Sequence, residues 1–199
     1  ELFLLALQKD SYFFQLSNDD LSVKYLRKLI IKNNDQYHWR GVLHEYLENK
    51  NEQEVGEVQG DYVVISGRKG NRSLDKDKYL KDAKILEIAY IAGDDPDLLP
   101  RYAFYCAQSY KDAGQINKAI EWYLKRAELD TGWYDEKYCS FEQLGLLYES
   151  EKNYKDALSY WQMGIAYDPQ RAECWYHSAR RHSWDHHPEL AYCFAKQAS

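Results

Sequence analysis

The sequence has no apolar run long enough to cross a bilayer. The opening stretch Leu2 to Leu7 is short and lacks the basic flank and cleavage site of a secretory leader. Neither a membrane span nor a signal peptide is therefore expected. A basic stripe is also missing. The 26 basic and 32 acidic residues leave a net charge of -6, which argues against a nucleic-acid or anionic-membrane partner. Cysteine is sparse and unpatterned: Cys106, Cys139, Cys174 and Cys193 show no C-x-x-C spacing. A disulfide framework or zinc site is not expected, and these residues read as small core side chains of a protein from a reducing, cytoplasmic compartment. No initiator Met opens the chain, so we expect a piece of something longer.

The 199 residues are 45% hydrophobic, enough for one large domain or two small ones with a real core. Residues 1–9 read as a short helix closed by Asp10-Ser11. Tyr12 to Leu16 is aromatic and strand-like, Ser17 to Asp20 is turn chemistry, and Leu21 to Ile31 follows as the second arm of a hairpin. Glu48 to Glu57 reads as an exposed connection. Tyr62 to Ser66 then reads as a strand of the buried kind.

Between these strands lies the stretch from His38 to Leu47, which holds several groups able to do chemistry. Val42, Leu43, Tyr46 and Leu47 fall at i, i+1, i+4 and i+5, the spacing of one buried helical face. That spacing turns His44 and Glu45 toward solvent or a ligand, while Trp39 offers a flat face for stacking. An ordinary helix start with a core Trp and a solvated His-Glu pair fits the same residues. A second basic stretch, Gly67 to Ser73, sets Arg68, Lys69 and Arg72 among two glycines. Such a loop can present backbone N–H groups and guanidinium forks to phosphate oxygens, or simply connect strand to helix in solvent.

From Asp75 onward the chain reads as helical, and it repeats. Ala119, Ala157 and Ala191 are 157 − 119 = 38 and 191 − 157 = 34 apart, the second step being the tetratricopeptide period. Phe141 and Trp175, Gly145 and Ala179, Tyr148 and His182, and Trp161 and Ala195 share the step of 34. The unit from Phe141 to Pro169 carries Leu144, Gly145, Tyr148, Ala157, Trp161 and Gly164 at tetratricopeptide positions. The unit before it departs from the pattern at Arg126, where a small residue is usual, and carries a four-residue insertion around Thr131 to Tyr134. About three helix pairs are expected, led by a capping helix from Asp75 to Ile91. Arg101, Phe104, Gln108 and Lys111, then Cys139, Glu142, Leu146 and Glu149, then Glu173, Tyr176, Arg180 and Ser183 would line the groove. This lining does not resemble a basic carboxylate clamp. His182, His186 and His187 read as turn residues in preference to a metal site.

The order of these elements is similar to that of family-2 glycosyltransferases with a tetratricopeptide tail. The residues that carry the resemblance are Trp39-Arg40-Gly41-Val42-Leu43-His44-Glu45-Tyr46, Asp75 to Glu87, Arg101 to Gly114, and Gly132-Trp133. It implies an α+β chain: residues 1–73 as the C-terminal portion of a GT-A-like α/β domain, and residues 74–199 as an all-α helical array. It also implies a nucleotide-sugar donor, an acceptor, and a divalent metal (manganese or magnesium) in the full-length enzyme. That metal would be held by a D-x-D, a motif that residues 1–40 do not contain. Glu45 would be the catalytic base, helped by His44, with Trp39 and Arg40 at the sugar or acceptor and Arg68, Lys69 and Arg72 near the diphosphate. The helical tail would bind a protein partner or form a homodimer. A non-catalytic tetratricopeptide adaptor is the alternative.

Overall fold

The computed structural model describes residues 7–66 and 75–199. The chain forms two compact units, Glu1–Lys76 and Asp77–Ser199. The expected helix over residues 1–9 and the loop with Arg68, Lys69 and Arg72 fall largely or wholly outside the described residues.

In the first unit β1 (Ser11–Ser17) is the central strand. It pairs antiparallel with β2 (Lys24–Ile31), from Ser11 opposite Ile31 to Ser17 opposite Lys24. Two short strands, β5 (Val55–Glu57) and β6 (Val64–Ile65), run parallel to successive parts of its other edge. Asp10 anchors the entry to this sheet. Its carboxylate accepts from Lys32 at 2.6 Å and from the backbone N–H groups of Gln53 and Glu54 at 3.0 and 3.1 Å. These bonds hold its carboxyl well below the usual carboxylate range.

Three expectations need correcting. Val42 to Leu47 is not a helix: β3 (His38–Arg40) and β4 (Tyr46–Glu48) form an antiparallel ribbon, with Trp39 opposite Leu47. Gly41 at φ +109° and His44 at φ +52° turn the chain between them, and neither value is helical. Residues 48–57 are not merely an exposed connection, because Glu52 turns inward. It accepts from Lys28 at 2.6 Å, from Tyr37 at 2.9 Å and from Ser11. Burial raises its pKa, but these bonds prevail and keep the carboxyl ionised below its ordinary value. Lastly, β6 is exposed: Val64 and Ile65 keep 36% and 47% of their surface in solvent.

The second unit opens with α1 (Lys78–Ala92), closed by Gly93 in the left-handed conformation. A 3-10 turn at Pro96–Leu98 leads into three helix pairs. These are α2 (Leu99–Asp112) with α3 (Ile116–Glu128), α4 (Tyr134–Ser150) with α5 (Tyr154–Tyr167), and α6 (Ala172–Trp184) with α7 (Pro188–Gln197). The array is tetratricopeptide-like: Ala103, Cys106, Ala107, Ala119, Tyr123, Leu144, Ala157 and Trp161 are all buried at their repeat positions. Gly145 explains the register of the middle pair. A Cβ there would lie 2.1 Å from Trp161 Nε1, so only glycine lets the indole cross α4 and donate to the Glu142 carbonyl at 3.3 Å. The chain is thus α+β, a small sheet and a helical array; its short strands do not by themselves amount to a GT-A domain.

Arg126 is accounted for by the insertion that follows it. Its guanidinium is 1% exposed and donates to the carbonyls of Leu129 and Trp133 at 3.1 and 2.8 Å. The buried Glu136 carboxylate lies 3.7 Å from its Nε and accepts from Arg101 at 3.3 Å. Burial raises the Glu136 pKa and lowers that of Arg126, each opposed by the other's charge. Gly132 (φ +90°) lets the loop pass against Pro100.

Candidate functional site

The β3–β4 ribbon gathers four of the sequence-predicted site residues, Trp39, Arg40, His44 and Glu45, into one short segment. Strand alternation puts His38 and Arg40 on one face and Trp39 on the other. Glu48 spans the first face, accepting from Arg40 at 2.8 Å and meeting His38 at 3.1 Å. The Arg40 bond, opposed by burial, holds the Glu48 carboxyl below its ordinary value. Arg40 is therefore engaged by Glu48 across the ribbon. Trp39 is 63% exposed. His44 and Glu45 are exposed at the connecting loop, so a ligand reaching this loop would meet an imidazole, a carboxylate and the loop backbone together. Among the described residues no group of three or more His, Cys, Asp or Glu side chains can hold a metal ion. His44 and Glu45 supply at most two ligands, and no complete divalent-metal site is present in them.

The groove face of the array is more fully built. Several of its polar residues engage one another across successive first helices. Glu142 on α4 meets His177 on α6 at 3.2 Å, and Glu149 accepts from Arg180. Lys111 on α2 donates to Gln143 at 3.0 Å, and Arg171 reaches Asp135 at 3.1 Å. Trp161 stacks on His177 with ring centroids 5.3 Å apart. Arg171 and Arg180 already hold carboxylates and Lys111 an amide oxygen, so these cations are not set out as a clamp for a free carboxylate. What the groove offers instead is apolar surface at the last pair.

There α6 and α7 frame an open, shallow recess of about 430 Å³, lined by Tyr176, Ala179, Trp184, Ala191, Tyr192 and Ala195 among others. Tyr176 and Trp184 are each 55% exposed and Tyr192 is 70% exposed. Only Tyr176 of these aromatics stood among the sequence-predicted groove residues. Trp184 and Tyr192 were missed, although the 34-residue step aligns them with Ser150 and Leu158 and flags both as departures from the pattern. Cys193, expected as a core residue, is exposed, whereas Cys106 and Cys174 are buried. His182 sits between His187 and Phe194, with centroids 6.2 and 5.2 Å away.

No protein-family model and no curated protein matches the chain. Among solved structures, MamA MSR-1 C2 is similar at 17% identity over 62% of this chain and 70% of that one, with a TM-score of 0.46. A crystal structure of MamA is likewise 17% identical over 67% of this chain and 94% of that one, with a TM-score of 0.32. No described helix is long and apolar enough to cross a membrane.

Proposed function

We propose that the helical array is a protein-docking module whose contact surface is the aromatic end of the groove at α6 and α7. The observation that carries this reading is the clustering of Tyr176, Trp184 and Tyr192 around an open apolar recess. Exposed aromatics around a concave apolar surface mark contact sites, and the neighbouring groove charges Glu149 and Arg180 hold each other. A photo-crosslinking phenylalanine analogue placed at Tyr176 tests it in the cell of origin. A discrete adduct at Tyr176, missing when the probe replaces the exposed Ser159 on α5, is expected. Absence of any adduct, or equal labelling at both positions, would overturn the proposal.

A second reading, that the first unit is part of a family-2 glycosyltransferase, is favoured by a separate observation. β2 exposes neighbouring apolar residues that point to opposite faces: Tyr25 at 42%, Leu26 at 48%, Leu29 at 47% and Ile31 at 36%. Apolar side chains on both faces of β2, set among Lys24, Arg27 and Lys28, suit a sheet covered on both sides, as in α/β domains. On this reading the exposed His44-Glu45 loop would face the acceptor. Glu45 would take the proton from the attacking hydroxyl or thiol, and Trp39 would stack on a sugar. Arg68, Lys69 and Arg72 would lie by the diphosphate of the nucleotide-sugar donor, and a divalent metal would neutralise the leaving group. Glu45→Gln in the complete protein is expected to lower transfer about 100-fold or more, the usual contribution of a general base, with unchanged melting. Transfer at the wild-type rate would remove Glu45 from the chemistry, and no nucleotide-sugar binding by the complete protein would leave the docking module alone.

A further inference from the structure

We infer that one face of the β3–β4 ribbon binds a neutral sugar ring, seated on the Trp39 indole with its hydroxyls on the Glu45 carboxylate. The register divides the ribbon into two faces of opposite character. His38, Arg40, Tyr46 and Glu48 share one face, where Glu48 holds His38 and Arg40, and Arg40 donates to the Tyr46 hydroxyl at 3.4 Å. These groups satisfy one another. On the other face Trp39 pairs with Leu47, and Glu45, two residues before Leu47, is turned the same way by strand alternation. Trp39 and Glu45 are thus diagonal neighbours, about 7–8 Å apart and within reach of long side chains. Gly41 stands opposite Glu45. A Cβ built there would lie 3.9 Å from the Glu45 Cβ, so the missing side chain leaves open the space beside both the indole and the carboxylate. Trp39 is 63% exposed, Glu45 is exposed, and among the described residues no hydrogen bond or ion pair holds the Glu45 carboxylate.

The ligand class follows from what this face has and what it lacks. An aromatic ring is negative on its face, and the C–H bonds on the flat side of a sugar ring, drawn positive by the neighbouring oxygens, rest well against it. An ionised carboxylate accepts and cannot donate, so it suits a ligand with paired donors, as two adjacent ring hydroxyls are. The basic side chains of the ribbon strands, His38 and Arg40, lie on the opposite face and are held by Glu48. The Trp39 face therefore has no strand cation to offer a phosphate, and a neutral ligand is favoured over a nucleotide. A quaternary ammonium is recognised by a cage of several rings, whereas the ribbon presents a single indole. One stacked ring and one carboxylate make a weak site, with affinity on the order of millimolar. The seat is argued from the ribbon alone. Its consequence for chemistry rests on the transferase reading, where it makes the acceptor a carbohydrate and the attacking group a hydroxyl in place of a thiol.

Saturation-transfer NMR on the complete protein tests it. The probes are the methyl glycosides of glucose, galactose, mannose and N-acetylglucosamine, with guanosine monophosphate and tetramethylammonium as the competing ligand classes. At least one glycoside is expected to receive saturation on its ring C–H protons. Trp39→Ala is expected to weaken that binding about tenfold, and Glu45→Gln to weaken it severalfold. Trp133→Ala, at an exposed tryptophan of the helical array, leaves it unchanged. All three side chains are exposed, so the variants keep the wild-type melting temperature. No transfer to any glycoside, transfer that Trp39→Ala leaves intact, or transfer to a competing class in place of the glycosides overturns the inference. Titration with nucleotide sugars separates this failure from that of the transferase reading. Glycoside binding without nucleotide-sugar binding retains the seat and overturns the transferase. Nucleotide-sugar binding without glycoside binding retains the transferase and overturns the seat.

Discussion

Two residues set tolerances that substitution can measure. Gly145 is held by a side chain, since a Cβ would fall inside contact distance of the Trp161 indole. Gly145→Ala is expected to cost about 1–3 kcal/mol, the usual range for overpacking, read as a lower midpoint in urea. An unchanged midpoint would mean that the indole can move aside. Arg126 is held by charge and by carbonyls. Arg126→Met strips two backbone oxygens of their donor and leaves Glu136 buried with Arg101 alone. A loss of about 3 kcal/mol is expected, since removal of one partner strands a buried charge. Arg126→Met combined with Glu136→Leu is expected to recover part of that loss. A single-variant loss below about 1 kcal/mol, the size of a surface pair, would place the guanidinium in water.

Among the elements, the α6–α7 hairpin has a titrating group in its seam. Burial, and then the neighbouring His187, push the His182 imidazole below its ordinary pKa, with Arg181 adding to the shift and Asp185 opposing it. The folded state thus prefers neutral His182. The unfolded chain takes up the proton first as pH falls, so stability is full above the ordinary imidazole value of about 6.5 and declines below it. The melting temperature is expected to fall between neutral pH and mild acid, and His182→Gln to flatten that slope; identical slopes would assign the loss elsewhere. The helices of this array were legible because a 34-residue step repeats small and aromatic residues at fixed offsets, and packing requires those sizes at those places. The β3–β4 ribbon was not legible as strand. Three-residue strands are too short to show alternation, and Val42, Leu43, Tyr46 and Leu47 imitate a helical stripe by chance. Gly41 and His44, both at positive φ, decide the matter, and His44 gives no sign of that in its residue type. At the candidate site, His44 and Glu45 were expected to face solvent or a ligand and are exposed, but the exposure of Trp39 and the capture of Arg40 by Glu48 needed the ribbon register.

At the scale of the molecule, the two units differ in how much they bury. Among the described residues of the first unit, Leu16 is the one buried hydrophobic side chain, whereas the second buries Trp122, Tyr123, Tyr138, Leu144, Trp161 and many more. Residues 77–199 expressed alone are expected to melt cooperatively with full helical signal. Residues 1–76 alone are expected to bind a hydrophobic dye and aggregate, because too little apolar area is buried to offset chain entropy. A soluble, cooperatively folding 1–76 fragment would contradict the view that its sheet belongs to something larger.

Because Arg126 fastens both ends of the insertion between α3 and α4, the chain separates length from phase at residues 129–133. The step from Ala119 to Ala157 exceeds the next by 38 − 34 = 4 residues, yet α4 and α5 form the same kind of pair as their neighbours. Added length is taken up beside the helices and never passed down them. The region between Leu129 and Trp133 is thus a natural splice point. An epitope tag or a fluorophore-bearing peptide inserted after Asp130 would be displayed outward, while every downstream helix kept its place.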